Sequence, residues 1–231
     1  FVAHLVEVCR LLRPALRRDG TCWLNIGDCY AHRSARDGER RGSSDGAVRR
    51  STPQQMRVKA HGALKHKDLC LVPFRLVIAL QEDGWYVRTE IIWEKGNGLP
   101  EAVRDRPVRC HEYLFLLTRS PRYAYDPAAI AEPVTGNAHS RGKGRTPKGE
   151  TARGRANNSW QGATTALVER RNARSGWRIN PEPFPGEHDS TYPRELVRRC
   201  LLAGSRPGDL VCDPFGGTGT LAVVAEELGR R

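Results

Sequence analysis

The segment DPFGGTGT at residues 213–220 joins a predicted strand, DLVCD, to a predicted helix, LAVVAEELG. Glycines between a strand and a helix let the backbone approach a ligand closely, which is typical of loops that hold nucleotide-like cofactors. The Lys and the spacing of a phosphate-binding P-loop are both absent. Gly217, Gly219 and Ala222 match the looser GxGxxA pattern of dinucleotide loops. A tight turn whose glycines serve only helix packing is the third interpretation.

The elements around this segment follow a repeated order. A helical pattern precedes a strand pattern three times: FVAHLVEVCRLL before TCWLNIGD, DLCLVPFRLVIALQEDG before WYVRTEIIWEK, and YPRELVRRCLLAG before DLVCD. This order predicts an α/β fold with a mostly parallel sheet covered on both faces. The run YLFLLT predicts one more strand, antiparallel to WYVRTEIIWEK.

Composition limits the class of protein. With 231 residues and 39% hydrophobic residues, the chain is able to form a substantial core. It contains neither an apolar run of about 18 residues nor a signal-peptide pattern, so we expect no membrane insertion and no secretion. The seven cysteines are scattered without a CxxC pair. This pattern favours reduced thiols in a cytoplasmic protein and no metal site.

The formal charge of +12 is concentrated in two segments. Residues 31–67 hold ten Lys or Arg against three acids, and residues 136–180 hold ten against two. Both are rich in Gly, Ser and Arg, which predicts loops that suit a polyanion, with Trp160 and Trp177 available for stacking on bases. Solvated loops with incidental charge are an equally good interpretation of the charge alone.

The residues before the glycines favour one family. DPFGGTGT resembles the S-adenosyl-L-methionine (AdoMet) motif DPFxGxGT of DNA amino-methyltransferases. Three blocks, beginning at LRRDGTCWLNIGDCY, KDLCLVPFRLVIAL and HDSTYPRELVRRC, resemble the permuted β-type branch over nearly the whole chain. The resemblance implies a Rossmann-like methyltransferase sheet, mostly parallel with one antiparallel strand, in circularly permuted order and incomplete at both ends. In that branch the catalytic half precedes the cofactor half, so the glycine loop comes late.

The resemblance also implies which residues hold AdoMet. Phe215 is expected to pack against the ligand, and HDSTYP to lie beside its amino-acid moiety, although Ser190 or Thr191 also suits a helix N-cap. The implied cofactor residues are Ser190, Thr191, Tyr192, Pro193, Asp213, Pro214, Phe215, Gly216, Gly217, Thr218 and Gly219.

The family's catalytic tetrapeptide, (S/D/N)PP(Y/F), is not found, because the sequence has no Pro-Pro pair. The family places it before the first helix, so we expect it upstream of Phe1, and both ends of the sequence look cut. Loss of its strand is expected to leave a gap in the sheet, making the isolated chain unstable and inactive. Cytosine C5 chemistry is disfavoured, since no cysteine follows a proline.

Residues that contact DNA or the target base are predicted in and around the segment EKGNGLPEAVRDRPVRCHE. The candidates, with Trp160 and Trp177, are Trp93, Lys95, Asn97, Arg104, Arg106, Arg109 and His111. Equally, Trp93 suits the core and Arg106 suits an ion pair with Asp105 or Glu101. Asn25 and Asp28 either orient groups of the pocket or form a polar turn.

These observations predict a catalytic-half segment at 1–135 with a basic loop at 31–67, a target-recognition insertion at 136–180, and an AdoMet-binding segment at 181–231. The predicted reaction is methyl transfer from AdoMet to an exocyclic amine of double-stranded DNA. NIGDCY and DRPVRCHEYLFLL resemble the cytosine-N4 group of the family more closely, and this resemblance implies cytosine N4 in preference to adenine N6. A cognate restriction endonuclease is a possible partner. The alternatives are an NAD-binding oxidoreductase and a non-enzymatic DNA-binding module.

Overall fold

The computed structural model describes residues 1–32, 58–59, 62–98, 101–134, 139–141, 164–167, 169–183 and 191–231. In chain order their helices and strands are α1 (Val2–Ala15), β1 (Thr21–Ile26), β2 (Ala31–His32), β3 (Val58–Lys59), α2 (Val72–Glu82), β4 (Tyr86–Glu94), β5 (His111–Thr118), β6 (Glu132–Pro133), β7 (His139–Arg141), β8 (Thr164–Leu167), β9 (Arg170–Arg171), β10 (Gly176–Arg178), α3 (Arg194–Gly204) and α4 (Thr220–Glu227). None of the helices in these ranges has the length and apolar character needed to cross a membrane. The same ranges bring no three His, Cys, Asp or Glu side chains together as a metal site.

The chain divides into two compact units. The first consists of Phe1–Tyr125 and Ser175–Arg231, and the second of Asp126–Arg174. Most of the predicted basic loop at 31–67 and much of the predicted insertion at 136–180, including Trp160, lie outside the described residues.

The main sheet of the first unit has the strand order β1-β5-β4-β10. Strand β5 is antiparallel to both β1 and β4, and β10 is parallel to β4. Three strands therefore run in one direction and one runs against them, which confirms the predicted α/β sheet with a single antiparallel strand. Because of this arrangement, the carboxyl ends of β1, β4 and β10 meet at one edge of the sheet.

Helices α1 and α2 cover one face of this sheet. Both are amphipathic, and Val6 of α1 meets Leu76 and Leu80 of α2 in a core that includes Phe115 and Leu117 of β5. Burying apolar side chains of this size contributes about 1.5–3 kcal/mol each. Helix α2 ends before Gly84, whose φ of +94° lies in the left-handed region that favours glycine.

Helix α3 covers the other face, and α4 packs on α3. The apolar spacing in YPRELVRRCLLAG predicts one buried stripe on α3, formed by Leu196, Val197, Cys200 and Leu201. All four residues are buried, which confirms this prediction. Val224 and Ala225 of α4 complete this second core. At the end of α3, the Thr21 hydroxyl donates a 3.1 Å hydrogen bond to the Gly204 carbonyl, which joins the helix to strand β1.

The prediction that DLVCD forms a strand of the sheet is wrong. Its backbone hydrogen bonds are to single residues and not to a strand: Val211 N donates to Arg231 O at 2.7 Å, Arg231 N donates to Asp209 O at 2.9 Å, and Asp209 N donates to Arg206 O at 3.1 Å. Leu210 is 82% exposed. An apolar run forms a regular strand where neighbouring strands pair with it, and within the described ranges DLVCD has no such neighbour.

Residues 176–178, predicted to lie in the insertion, instead form β10 of the main sheet. Trp177 is opposite Trp93 in the parallel register, and both indoles are buried. The aromatic side chain gives this short segment enough apolar surface to be held in the sheet.

The second unit contains two small antiparallel pairs, β6 with β9 and β7 with β8. Glu132 of β6 forms ion pairs with Arg171 at 3.6 Å and Arg174 at 3.2 Å. Its carboxylate therefore neutralises part of the positive charge that the sequence places in this region.

Replacing Gly204 is expected to push α3 away from β1. A Cβ at this position lies 2.2 Å from Thr21 Oγ1 and 2.8 Å from Trp23 Nε1, so Gly204→Ala is expected to destabilise the fold by about 1–3 kcal/mol. Chemical denaturation measures the loss. The matched control is Gly176→Ala, since a Cβ there has no atom within 4 Å. Equal stabilities of the two variants would contradict the close approach.

Candidate functional site

The glycine segment forms a tight turn that leads into α4. Gly217 and Gly219 have φ values of +51° and +75°, which residues with a Cβ rarely adopt. Gly219 N donates a 2.8 Å hydrogen bond to Gly216 O and closes the turn. A Cβ on Gly219 meets no atom within 4 Å, so the space beside this backbone is open to a ligand.

The two predicted cofactor motifs meet at one hydrogen bond. The Tyr192 hydroxyl donates to Asp213 Oδ2, while Asp213 Oδ1 accepts a 2.9 Å bond from Phe215 N. Burial, and then the hydrogen bond to Asp213, raise the pKa of Tyr192 above its ordinary value. The hydroxyl therefore stays protonated at physiological pH and continues to donate.

The remaining residues of the two motifs differ in their surroundings. Phe215 is 62% exposed, which leaves its ring free to pack on a ligand. Pro193, not Thr191, is the N-cap of α3, so the capping interpretation of Thr191 is wrong. At this end of the helix Glu182 Oε1 accepts a 3.2 Å hydrogen bond from Arg194 N. Ser190 lies outside the described residues. An exposed aromatic ring, an open glycine turn and an anchored carboxylate fit a ligand with an aromatic face and polar groups, as AdoMet has.

Two tryptophans predicted as base-pocket candidates lie in the core. Trp93 is 2% exposed and its Nε1 donates a 2.8 Å bond to Ile179 O, as the alternative interpretation expected. Trp177 is also 2% exposed and lies 6.2 Å from the Trp23 ring. The prediction that Trp177 stacks on bases is therefore wrong, because its ring is enclosed by the sheet and by α3.

Three predicted DNA-contacting cations are held by internal acids. Lys95 pairs with Glu112, Arg106 pairs with Glu101 at 2.7 Å, and Arg109 lies 3.9 Å from Asp28. Arg106 also lies over the Tyr30 ring, 3.9 Å from its centroid. These contacts fix the segment 101–109 to the carboxyl edge of the sheet, so the side chains serve first as anchors.

The other candidates on this edge are more accessible. Asn97 and Arg104 are exposed, and within the described ranges neither side chain has an ion-pair or hydrogen-bond partner. His111 is partly buried, with its ring edge-on to Tyr113 at 5.3 Å. Arg104 is therefore the cation that the segment presents outward.

Asp28 and Asn25 both make defined contacts at the end of β1. The side chain of Asp28 is fully buried, and its Oδ1 accepts hydrogen bonds from Cys29 N at 2.9 Å and Val72 N at 3.0 Å, which ties β1 to the start of α2. Asn25 Nδ2 donates to Glu112 Oε2 at 3.2 Å and to Tyr113 O at 3.1 Å. The sequence did not predict Glu112 as a residue of this site. The one signal for it was its position next to His111, a predicted site residue, at the start of a strand.

The sequence profile of the family described as DNA methylase matches residues 1–231, the whole chain. The chain belongs to the DNA methylase family. The family match confirms the predicted resemblance to a DNA amino-methyltransferase of the N4/N6 kind, for which S-adenosyl-L-methionine is the cofactor. It decides against the NAD-binding oxidoreductase.

Relatives of this DNA methylase include two Type II methyltransferases. M.SmaI of Serratia marcescens is 42% identical over 233 residues, covering 100% of this chain and 67% of the relative. M.Cfr9I of Citrobacter freundii is 38% identical over 234 residues, covering 100% of this chain and 65% of the relative. The chain thus spans about two thirds of the length of these relatives.

Solved structures show the same fold at lower identity. The PvuII DNA methyltransferase, described as cytosine-N4-specific, has a TM-score of 0.60 at 15% identity and covers 100% of this chain and 64% of that one. A putative DNA modification methylase of Thermus thermophilus, solved with S-adenosyl-L-methionine, has a TM-score of 0.55 at 21% identity, with 100% and 68% covered. The methyltransferase fold predicted from the sequence is confirmed.

Removing the Tyr192 hydroxyl is expected to weaken AdoMet binding. Tyr192→Phe leaves the Asp213 carboxylate with Phe215 N as its remaining donor, and the loss of this one orienting hydrogen bond is expected to lower the affinity roughly three- to tenfold. Isothermal titration of the full-length protein with AdoMet measures it. Tyr86→Phe on the exposed part of β4 is the matched control and is expected to bind normally. Identical affinities for the two variants would show that the bond does not position the turn.

Proposed function

We propose that the protein is a site-specific DNA methyltransferase that transfers the methyl group of AdoMet to the N4 amine of cytosine in double-stranded DNA. The observation that carries this proposal is the hydrogen bond from Tyr192 to Asp213, which joins the two segments that the family resemblance assigns to AdoMet. Family membership supports the reaction class.

Different residues of the glycine turn contact different parts of AdoMet in this proposal. Tyr192 and Phe215 N fix the Asp213 carboxylate, which is then oriented to accept hydrogen bonds from the ligand. Gly217 and Gly219 admit the ligand to the backbone, and the exposed Phe215 ring offers an apolar face. When bound, AdoMet supplies an electrophilic methyl group. The assigned residues are Ser190, Thr191, Tyr192, Pro193 and the run 213–219.

Cytosine N4 is the favoured target because NIGDCY and DRPVRCHEYLFLL resemble the cytosine-N4 group, and a fold relative is described as cytosine-N4-specific. The amine conjugated to a base ring is a poor nucleophile, and a positioned acceptor helps to orient it. Because this chain has no Pro-Pro pair, it lacks the family's (S/D/N)PP(Y/F) tetrapeptide, and we propose that the chain by itself does not methylate DNA.

The DNA partner is supported by charge. The segment 136–180 holds ten Lys or Arg against two acids, and we assign target recognition to the part of it that precedes β10, with Arg104, between β4 and β5, as a phosphate contact. The relatives named Type II methyltransferases favour a cognate restriction endonuclease and a cytoplasmic setting.

Expression in a bacterial host that lacks its own DNA methylases tests the reaction. The full-length protein is expected to produce N4-methylcytosine in genomic DNA, measured as nucleosides by mass spectrometry, whereas the 231-residue chain alone produces none. N6-methyladenine alone would overturn the target base. Neither modified base in the full-length sample would overturn the function, and methylation by the isolated chain would overturn its inactivity.

Loss of one phosphate contact is expected to change the salt dependence of DNA binding. Arg104→Ala in the full-length protein is expected to lower the slope of log affinity against log salt by about 0.9, the value for one neutralised phosphate. Affinities for a non-specific duplex over a range of salt concentrations provide the slope. The control is Arg122→Ala, an exposed arginine beyond the C-terminal end of β5, at the opposite edge of the sheet. A slope unchanged in Arg104→Ala would remove this residue from the interface.

A further inference from the structure

Two cysteines face each other between the end of β1 and the start of α2. Tyr30 and Leu69 pair in an isolated antiparallel bridge, so Cys29 and Cys70 are opposite one another in the same pairing. Cys70 N donates a 2.9 Å hydrogen bond to Cys29 O, which holds the two backbones together at this position. Both thiols are free in the structure.

The backbone pairing brings the two residues into the distance range of a disulfide. Opposite residues that share a hydrogen bond in an antiparallel pair have Cα atoms about 5.5 Å apart. Disulfides join residues whose Cα atoms are about 4.4–6.8 Å apart. Side chains of opposite residues lie on the same side of the pair, so the two sulfur atoms approach each other without a large movement of the backbone.

The two thiols are in contact. Burial first, and then a hydrogen bond with the Cys70 side chain, raise the pKa of Cys29 to about 12. The charged neighbours have opposite effects, since the Asp28 carboxylate raises this pKa and the Arg109 guanidinium lowers it. Cys29 is therefore protonated at neutral pH. Because the thiolate is the reactive form, oxidation of this pair is slow at neutral pH and faster in alkaline solution.

Polar groups beside the cysteines are incompletely paired. Asp28 Oδ1 accepts from Cys29 N and Val72 N, but Oδ2 of the same buried carboxylate has no hydrogen-bond partner within the described ranges. Arg109 Nη1 is also buried and has none there, and Arg109 Nη2 lies 3.9 Å from Asp28 Oδ2. Buried polar atoms without partners cost free energy. A covalent bond at this position therefore adds a constraint where the non-covalent contacts are incomplete.

We propose that Cys29 and Cys70 form a reversible disulfide that joins the end of β1 to the start of α2 when the protein meets a low-molecular-weight disulfide as oxidant. The proposal does not depend on the proposed function, since neither cysteine belongs to the two segments assigned to AdoMet.

The reaction is two thiol–disulfide exchanges. Cys29 reacts first, because it is half-buried whereas Cys70 is 2% exposed. Its thiolate attacks one sulfur of the oxidant, forms a mixed disulfide and releases one small thiol. The Cys70 thiolate then attacks Cys29 Sγ and releases the second small thiol. The two cysteines lose two protons and two electrons, and both are taken up by the oxidant as it becomes two thiols.

The disulfide is expected to stabilise the fold by restricting the unfolded chain. It closes a loop that contains residues 30–69, and the entropy that the unfolded chain loses grows with the length of the closed loop. The oxidised protein is expected to melt roughly 4–10 °C above the reduced protein.

Peptide mapping of the full-length protein tests the pairing. The reduced, folded protein is incubated with oxidised glutathione at about pH 8.5, where more thiolate is present, then alkylated and digested without reductant. A peptide with Cys29 is expected to be linked to a peptide with Cys70, and dithiothreitol is expected to separate them. The exposed Cys110 is the internal control and is expected to carry glutathione. Glutathione on Cys110 without the Cys29–Cys70 link overturns the proposal.

Variants assign the rise in melting temperature to this bond. Cys70→Ala and Cys29→Ser are each expected to abolish both the linked peptide and the rise on oxidation. Cys9→Ala is the matched control, since it removes another buried thiol, and it is expected to keep both. If Cys70→Ala fails to fold, Cys29→Ser decides the matter. A linked wild-type protein whose melting temperature does not rise, or a rise that persists in folded Cys29→Ser, overturns the stabilising cross-link.

Discussion

The antiparallel insertion of β5 between β1 and β4 is the constraint on which the remaining structure of the first unit depends. Since β5 is hydrogen-bonded to both neighbours, β1 and β4 run in the same direction and end at the same edge. Asn25 and Lys95 both reach Glu112 only because of this shared direction, since β5 begins where β1 and β4 end. The polar side chains at this edge thus meet because of the directions of their strands, not because they are close in sequence.

The charges at this edge illustrate why basic composition is a weak guide to DNA contacts. Of the four cations predicted there, Lys95, Arg106 and Arg109 are matched to Glu112, Glu101 and Asp28. Partly buried cations of this kind need counter-charges, because burial makes an unpaired charge costly. Arg104 alone of these four extends from the anchored segment without a partner among the described residues, and its position depends on the pairs around it.

Helices and strands with strong periodicity were predictable from the sequence, and the buried stripe of α3 was predicted residue by residue. DLVCD was not, since an apolar run shows β propensity but not whether neighbouring strands pair with it. Trp177 was assigned to DNA because its neighbours are basic, whereas its indole is held by Trp23 and α3. Glu112 was not predicted because its contacts are with Asn25 at the end of β1 and Lys95 after β4, which are distant in sequence.

The two ends of α3 are held in different ways, and Gly204 is the reason at its C-terminal end. At this end the helix backbone lies directly against the side chains of Thr21 and Trp23, because Gly204 has no side chain of its own, so atomic radii set the separation. At the other end, Pro193 is the N-cap of the helix, and the Tyr192 hydroxyl donates a hydrogen bond to the Asp213 carboxylate of the glycine turn. Because Gly204 fixes the distance between this end of α3 and β1, a displacement of the opposite end, next to Tyr192, is expected to tilt the helix and not to slide it along the sheet.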